Sequence, residues 1–346
     1  MTVLFGGTGF IGRHLAARLS CAGQPVTAFS RRGAEKSCLT ALRGVDVVEM
    51  AVDDKVRNVQ LREAIRNADV IYNLAGTSGA VASNQDPRTS LEGNCKFQLE
   101  ILRACEEAGN RPHVVFSSSR LVYGRAQVLP VSETSPVIPT SFYAAHKVCV
   151  ENYHEIQAHR GTITYSICRI SNPFAFYRPE PNQSYGFINR LIYQGANGQP
   201  LSIYGEGSQV RDFLHIDDLI DALELCGTHI QARNETFNIG SGQPVAMNAV
   251  AQLVHEITGV PVIYSSWPAE DALVESGDFV MDIGKARTRL DYHPKFEVFS
   301  ALRQMLESGR LPTSAFHSMS DRREDAFPVL RPKAAAAGHQ SESRNG

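Results

Sequence analysis

The chain has 346 residues, of which 43% are hydrophobic and 20% charged, and its formal net charge is −2. This is a globular composition, and the small net charge argues against a nucleic-acid or anionic-membrane partner. No apolar run reaches the roughly 20 residues of a membrane span, and no signal peptide precedes the first predicted strand. We therefore expect a cytoplasmic protein whose seven scattered cysteines stay reduced.

The first dozen residues predict a strand, a glycine turn and a helix. Residues 2–5 are apolar and uncharged, and Gly6, Gly9 and Gly12 follow them, or equally Gly7, Gly9 and Gly12. Glycine permits a tight turn and lets the backbone approach a pyrophosphate closely. The helix N-terminus then offers free N–H groups and a partial positive charge to the phosphates. This pattern predicts a dinucleotide site.

The helix after the glycine turn is predicted from its apolar spacing. Ile11, Leu15 and Leu19 recur every four residues and therefore share one face. Because Phe10 and Ile11 lie in the first turn of this helix, we count them, with the glycines, among the cofactor contacts.

A second strand is predicted over residues 25–29, and it ends in Ser30, Arg31 and Arg32. In a dinucleotide fold, an acid at the end of this strand bonds the 2′-hydroxyl of NAD, whereas arginine accommodates the 2′-phosphate of NADP. Arg31 and Arg32 are thus candidate cofactor contacts that slightly favour NADP. The alternative is that one arginine stacks on adenine and the other is a solvated loop charge.

Two further strands are predicted over residues 45–50 and 68–74, with a helix over 61–67 between them. The second strand runs into Leu74 and Ala75. We expect these two residues to contact the cofactor, because small residues at the carboxyl end of a strand let a ligand lie against the sheet.

A hydroxyl cluster follows the next predicted strand, residues 112–116. Ser117, Ser118 and Ser119 stand at its carboxyl end, where open α/β sheets bind their ligands, although such clusters also occur in ordinary loops. The long helix predicted before it, from 86 to about 108, contains Asn94, whose simplest interpretation is a solvated or helix-kinking residue.

Tyr143 and Lys147 lie four apart on a helix predicted from residue 141 to about 159, so they share a face. A phenol has a pKa of about 10, and a neighbouring ammonium favours its ionised form. This suits a catalytic base, although an amphipathic helix surface also produces the spacing. His154 and His159 lack a third ligand, so we expect exposed histidines and no metal site.

The chain changes character after a sixth strand at 165–170, where residues 171–173 break the pattern. A helix ending near 226 is expected to be capped by Asp217 or Asp218. The remaining predicted elements are helices over 186–195, 248–258 and 299–306 and strands over 200–204, 236–239 and 260–264.

This organisation predicts two domains. Residues 1–172 form a dinucleotide-binding domain, with a return segment at about 212–245. Residues 173–211 and 246–309 form a substrate domain. The polar, alanine-rich composition of residues 310–346 predicts a disordered tail.

Five features in this order resemble the extended short-chain dehydrogenase/reductase family, and most closely its NAD-dependent epimerase/dehydratase branch, over about residues 1–308. They are the glycine turn, the serines before residues 122–124, the Tyr143-x-x-x-Lys147 pair, residues 169–173, and residues 210–212 with the acids at 217 and 218.

The resemblance implies a fold, a cofactor and an assembly. The fold is α/β, a Rossmann-type doubly wound parallel sheet with a smaller α/β substrate-binding C-terminal domain. The cofactor is NAD or NADP: the family favours NAD, whereas the arginines after Ser30 favour NADP. The assembly is a homodimer paired through the helices at about 87–108 and 142–159.

The resemblance also implies catalytic and cofactor-binding roles by position. Ser119 holds the reacting oxygen of the sugar, Tyr143 is the base, and Lys147 supports the base and bonds the nicotinamide ribose. Ser117 is a cofactor contact, and Asn94 ties the active-site helix to the cofactor region.

The implied substrate is a nucleotide-diphosphate sugar. Asn172 matches a contact on the diphosphate side, and Tyr204 matches an aromatic residue at the nucleobase. Arg211 matches the arginine that clamps the diphosphate, a role suited to its bidentate guanidinium.

Several positions depart from the family pattern. Acids found in many relatives are replaced by Ser30 and Ala51, which weakens an NAD preference. Arg120 and Leu121 stand where dehydratases carry Asp-Glu, so 4,6-dehydration is disfavoured, and the lack of cysteine at Leu121 disfavours 3,5-epimerisation. A second diphosphate-clamping arginine is not evident near residues 275–278.

Three functions are compatible with these observations. The first is a nucleotide-sugar 4-epimerase, which needs Ser119, Tyr143 and Lys147 and recycles its cofactor. The second is an NADPH-dependent reductase of a nucleotide-linked 4-keto sugar or another small carbonyl compound. The third is a non-catalytic dinucleotide-binding protein, against which the intact trio argues.

Overall fold

The computed structural model describes residues 1–175 and 186–308. The predicted tail therefore lies outside the described residues. The strands of the described part are β1 Thr2–Phe5, β2 Val26–Ser30, β3 Val45–Glu49, β4 Val70–Asn73, β5 His113–Ser119, β6 Thr164–Ile170, β7 Asn172–Phe174, β8 Leu201–Tyr204, β9 Val210–His215, β10 Glu235–Ile239, β11 Pro244–Ala246 and β12 Val262–Ser265.

Helices cover both faces of the large sheet that seven of these strands form. A π-helical turn, Glu92–Lys96, joins two of the helices into one long rod. The α-helices of the described part are α1 Phe10–Cys21, α2 Ser37–Thr40, α3 Asp54–Ile65, α4 Ala80–Gln85, α5 Pro87–Leu91, α6 Phe97–Ala108, α7 Phe142–His159, α8 Phe187–Ala196, α9 Ile216–Thr228, α10 Met247–Thr258, α11 Ala269–Val274, α12 Gly284–Leu290 and α13 Val298–Ser308. None of these is long and apolar enough to cross a membrane.

Seven strands form one sheet in the order β3-β2-β1-β4-β5-β6-β10, and every pair in it is parallel. The strand order reverses between β1 and β4, which are hydrogen-bonded neighbours. Open α/β sheets bind ligands outside the carboxyl ends of their strands at such a reversal. The predicted Rossmann-type doubly wound sheet is confirmed.

The strands of the parallel central sheet are buried on both faces, because its crossover connections place helices on each side, as β1 illustrates. Leu4 packs with Leu15 of α1 in the core on one face. Val3 and Phe5 pack with Phe116 of β5 in the core on the other. Burial on both faces produces uninterrupted apolar runs rather than alternation.

A smaller apolar core lies in the C-terminal part of the chain. Helices α8, α10 and α13 contribute Leu191, Val250 and Leu302, and β8 contributes Leu201, all of them buried together. Two small sheets accompany this core, one in the order β11-β9-β7 and one pairing β8 with β12 in parallel. The short strands β7, β9 and β11 were not expected from the sequence.

Two predicted helix starts were wrong, and both errors concern caps. The helix expected over 61–67 begins at Asp54, because the carboxylate of Asp53 accepts hydrogen bonds from two N–H groups of the first turn, at 3.0 Å each. At α9 neither Asp217 nor Asp218 is the cap. The ring of His215 accepts from the N–H of Asp217 instead, at 3.2 Å.

The expectation of an exposed His154 was also wrong. The side chain is fully buried, stacks on Phe116 with ring centroids 4.8 Å apart, and its Nδ1 lies 2.8 Å from the Val150 carbonyl. Within residues 1–175 and 186–308, no three His, Cys, Asp or Glu side chains are grouped to hold a metal ion.

We predict that Gly12→Ala destabilises the protein through the glycine turn. A Cβ at this position would lie 2.1 Å from the carbonyl oxygen of Gly6 and 2.8 Å from the Cα of Gly7. Because both are backbone atoms, the turn itself must move, and we expect the free energy of unfolding to fall by about 1–3 kcal/mol.

Urea denaturation of the full chain measures this change, and Gly9→Ala is the control. A Cβ on Gly9 meets one atom within 4 Å, at 3.2 Å, so its effect should be smaller. Equal free energies of unfolding for the two variants would contradict the assignment.

Candidate functional site

A cleft of about 560 Å³ lies along the carboxyl edge of the central sheet, where the strand order reverses. Most of the predicted site residues line it. They are Gly6, Gly9, Phe10, Ile11, Gly12, Arg31, Leu74, Ser117, Ser119, Tyr143, Lys147 and Asn172. The other predicted residues, Arg32, Ala75, Asn94, Tyr204 and Arg211, lie outside this lining.

The glycine turn forms one end of the cleft. Gly6 has φ of +80°, a conformation that glycine adopts without strain. Gly9 is the N-cap of α1, and no side chain caps this helix. Helix N-termini of this kind bind phosphate, and the turn therefore fits the pyrophosphate of a dinucleotide.

The three residues that end β2 differ in position. Arg31 is exposed and lines the cleft, and Arg32 is exposed outside it. Ser30 is buried, and its hydroxyl has no hydrogen-bond partner among the described residues. No acid stands at this point, so the direct contact to a ribose 2′-hydroxyl that an acid would make is missing.

Asn94 supports the loop after β4 rather than lining the cleft. It is buried in the π-helical turn, so the solvated alternative was wrong. Its Oδ1 accepts from the Thr77 N–H at 3.1 Å, and its Nδ2 donates to the Thr77 hydroxyl at 2.8 Å. Thr77 and Gly76 line the cleft, so Asn94 fixes the shape of that wall. Ala75 is held likewise, since its carbonyl accepts from Gln98 at 3.0 Å.

Ser119, Tyr143 and Lys147 meet in the middle of the cleft. Ser119 ends β5, and the other two lie one turn apart on α7, whose N-cap Ser141 accepts from the Ala144 N–H. The Ser119 hydroxyl lies close enough to the Tyr143 phenol to lower its pKa. The Lys147 ammonium lies 5.7 Å from the centre of the Tyr143 ring and donates to the Ser117 carbonyl at 2.7 Å.

Burial sets the proton affinities of the tyrosine and the lysine. It raises the pKa of Tyr143 to about 12, and the hydrogen bond with Ser119 offsets this only in part. It lowers the pKa of Lys147 to about 8, while the Glu151 carboxylate acts in the opposite direction. In the protein alone, burial is therefore the largest effect on Tyr143, and the phenol keeps its proton at neutral pH.

A buried carboxylate below the cleft was missed in the sequence. Glu151 accepts two hydrogen bonds from Arg169, at 3.1 and 2.7 Å, and one from the Ser118 hydroxyl. It is 4% exposed and Arg169 8%, so the pair is sheltered from water. Glu151 follows Lys147 by four residues, and this helical spacing was the signal that could have found it.

Arg211 lies outside the cleft lining and is paired with an acid. Its guanidinium forms an ion pair with Glu275 and donates to the Gly277 carbonyl. Asn172 remains at the cleft, with its Nδ2 donating to the Asp212 carbonyl at 2.8 Å. Residues 275–278, where a second diphosphate-clamping arginine was not evident in the sequence, thus contain Glu275, the ion-pair partner of Arg211.

Tyr204 belongs to an aromatic cluster beside the small C-terminal core. Its ring centre lies 5.4 Å from that of Trp267, and the Arg190 guanidinium lies 5.4 Å from the Tyr204 ring. A flat aromatic surface of this kind suits stacking on a base, and the nucleobase contact stays a prediction.

The cleft also contains residues that the sequence analysis did not single out. Phe187 comes from α8 and Phe213 from β9. An apolar side chain carries no chemical signal in a sequence, so these residues become visible only when the fold brings them to the same wall.

Comparisons with known proteins agree with this geometry. The model of the NAD dependent epimerase/dehydratase family matches residues 2–240. A UDP-glucose 4-epimerase of Halalkalibacterium halodurans is 28% identical over 84% of this chain and 90% of that protein. The crystal structure of the UDP-glucose 4-epimerase of Thermotoga maritima with UDP-glucose has a TM-score of 0.79 at 26% identity, covering 89% of this chain and 98% of that one.

A second solved structure, MoeE5 in complex with UDP-glucose and NAD, has a TM-score of 0.76 at 27% identity, covering 88% of this chain and 97% of that one. The family match extends over more than half of the chain and includes the glycine turn, Ser119, Tyr143 and Lys147. This protein belongs to the NAD-dependent epimerase/dehydratase family.

Proposed function

We propose that this protein is a nucleotide-sugar 4-epimerase. The observation that carries the proposal is the meeting of Ser119, Tyr143 and Lys147 in the same cleft as the glycine turn. It is supported by the relatives that act on UDP-sugars. In this proposal the dinucleotide lies over the large sheet and the sugar nucleotide toward the small core.

Each of the three side chains has a distinct task in this reaction. Tyr143 removes the proton of the sugar 4-hydroxyl as C4 is oxidised and returns it when the 4-keto group is reduced. Ser119 hydrogen bonds the same oxygen and fixes its distance from the phenol. Lys147 stabilises the phenolate by its positive charge.

A bound nicotinamide would supply the acceptor and donor of the C4 hydride, and its oxidised form would add positive charge near Tyr143. The phenol pKa, raised by burial in the protein alone, must fall for the base to work. The charge of Lys147 and that of the oxidised cofactor both act in this direction.

The surroundings of Ser119 favour epimerisation over elimination. Arg120 and Leu121 follow it, and no carboxylate occupies either position. An acid there would be needed to protonate a departing hydroxyl. Ser119, Tyr143 and Lys147 can exchange a proton at a single oxygen, which is the proton transfer that inversion at C4 requires.

A reductase of a nucleotide-linked 4-keto sugar is the second candidate. Arg31 at the cleft favours it, because guanidinium groups bind the 2′-phosphate that distinguishes NADPH. The same three catalytic groups would then protonate the oxygen of a reduced carbonyl.

We also propose that the protein is a cytoplasmic homodimer. Its cysteines are all free thiols, as a reducing compartment maintains them. Exposed apolar side chains lie on the two helices expected to pair subunits, with Leu91 and Leu99 on one and Phe142 and Ile156 on the other. Such surfaces mark protein contacts when they are contiguous.

Tyr143→Phe tests the assignment of the base. We expect kcat for 4-epimerisation of UDP-glucose to fall by roughly 10²- to 10⁴-fold, because phenylalanine keeps the ring and removes the proton carrier. Dinucleotide binding should persist. Tyr153→Phe, on the same helix but outside the cleft lining, is the matched control, and near-wild-type turnover by Tyr143→Phe would refute the assignment.

The cofactor content separates the two candidate reactions. A recycling epimerase should retain a stoichiometric dinucleotide, released on denaturation and identified by chromatography and absorbance. A protein that purifies empty and binds NADPH more tightly than NADH would support the reductase. In that case Arg31→Ala should reduce the preference for NADPH, whereas Arg43→Ala, an exposed arginine outside the cleft lining, should leave it unchanged.

Substitution of apolar residues by glutamate tests the proposed dimer interface. Leu99→Glu combined with Ile156→Glu should convert the dimer to a monomer in sedimentation velocity, because two carboxylates per subunit would be buried without partners. Leu273→Glu, at an exposed leucine of α11, should leave the dimer intact. A wild-type monomer at micromolar concentration would contradict the proposal.

A further inference from the structure

Lys147 and Glu151 lie one turn apart on α7, and both reach the carboxyl end of β5. The Lys147 ammonium donates to the Ser117 carbonyl at 2.7 Å. The Glu151 carboxylate accepts from the hydroxyl of Ser118, the next residue of the strand. Because neighbouring residues are only about 3.8 Å apart at Cα, the two opposite charges are held close together.

Both charges are sheltered from water. Lys147 is 5% exposed and Glu151 is 4% exposed. Burial lowers the pKa of Lys147 to about 8, and the Glu151 carboxylate is the larger of two influences that oppose this. The ring of Phe116, 4.8 Å from the ammonium, adds a weaker attraction. A charge interaction is stronger away from water, so this carboxylate acts on the lysine more strongly than it would on a helix surface.

The other titratable side chains that face Lys147 are uncharged at neutral pH. On α7, burial raises the pKa of Tyr143 to about 12 and lowers that of His154 to about 4. On the π-helical turn, burial raises the pKa of Cys95 to about 12. Glu151 is thus the anion among the described groups that act on the ammonium.

Arg169 of β6 holds the carboxylate in this place. Its Nε and Nη2 donate to the two oxygens of Glu151 at 3.1 and 2.7 Å, which is the bidentate geometry that guanidinium groups favour. Arg169 also donates to the phenol oxygen of Tyr123 at 3.0 Å. Hydrogen bonds of this kind favour the ionised carboxylate, so one buried anion serves two cations.

We propose that Glu151 is a positioning residue of the epimerase, which keeps Lys147 positively charged in its buried site so that Lys147 can stabilise the Tyr143 phenolate. This inference rests on the proposed function. A neutral lysine would no longer favour the phenolate, and burial by itself drives Lys147 toward that neutral form. Because Glu151 lies outside the cleft lining, it acts through Lys147 and not on the substrate.

Glu151→Gln should move the fall of kcat at high pH to lower pH, with UDP-glucose as substrate. Lys147 is charged below its pKa and loses the charge as the pH rises through it. The amide keeps an acceptor for Ser118 but lacks the negative charge, so the pKa of Lys147 falls. Since an opposite charge at close range changes a pKa by about 1–3, we expect the midpoint of the fall to drop by at least about one pH unit, while KM changes much less.

Two variants that keep the buried charge are the controls. Glu151→Asp retains a carboxylate at this position and should keep the midpoint near that of the wild type. Glu155→Gln removes an exposed carboxylate one turn further along the same helix and should leave the pH profile unchanged.

Two further variants separate the charge from its structural contacts. Ser118→Ala removes the hydrogen bond to β5 but leaves the carboxylate paired with Arg169, so the midpoint should stay in place. Glu151→Gln combined with Arg169→Met removes both charges of the buried pair, which proteins often tolerate. Its midpoint should again lie at lower pH, even where Glu151→Gln alone fails to fold.

The position of the midpoint decides the outcome. A wild-type midpoint in the double variant, or a shift in Ser118→Ala as large as that in Glu151→Gln, would overturn the inference. A wild-type protein that turns over no UDP-sugar would overturn the proposed function and this inference with it, whereas turnover of UDP-glucose with an unmoved midpoint in Glu151→Gln would overturn this inference alone.

Discussion

The buried carboxylate of Glu151 is the charge on which the reacting part of the cleft depends. It accepts two hydrogen bonds from Arg169 of β6 and one from the hydroxyl of Ser118 on β5. Three elements are thereby fixed to one another, because Glu151 itself lies on α7. Removing either member of such a pair leaves an uncompensated charge away from water.

The Glu151 carboxylate also acts indirectly on the catalytic residues. Ser118 precedes Ser119, so holding its hydroxyl orients the end of β5 and with it the hydroxyl that bonds Tyr143. One turn before Glu151 stands Lys147, whose ammonium it favours against the cost of burial. A single ionised group therefore helps to place the hydroxyl and to keep the lysine charged, the two conditions that the tyrosine needs.

Much of this arrangement could be predicted from the sequence, because it depends on local patterns. Glycine spacing after a strand fixes the turn at Gly6, and a four-residue interval fixes the shared face of Tyr143 and Lys147. Parallel strands buried on both faces are uninterrupted apolar runs, so the strands of the central sheet could also be predicted from the sequence. The carboxyl ends of such strands must meet at one edge, and this brought Ser119 to the helix.

What could not be predicted depends on contacts between distant segments. The cap of α9 is the ring of His215, because Asp218 is engaged by the N–H groups of Lys295 and Phe296. No local pattern in the sequence indicates that Asp218 binds backbone N–H groups so far along the chain. Likewise, β7 and β11 have only three residues each, and the six residues of β9 do not alternate between polar and apolar. His154 is buried against the ring of Phe116, a residue distant in the sequence.

The charged residues near Asn172 show how distant positions of the sequence can form one feature of the fold. In the sequence, an arginine at 120 and an acid at 275 are far apart and of opposite sign. In the fold, Arg120 donates to the Asn172 Oδ1 and to the Ser276 hydroxyl, and Glu275 is paired with Arg211. Because Glu275 and Ser276 are neighbours in the chain, one short segment contacts both arginines, and no local pattern in the sequence predicts that contact.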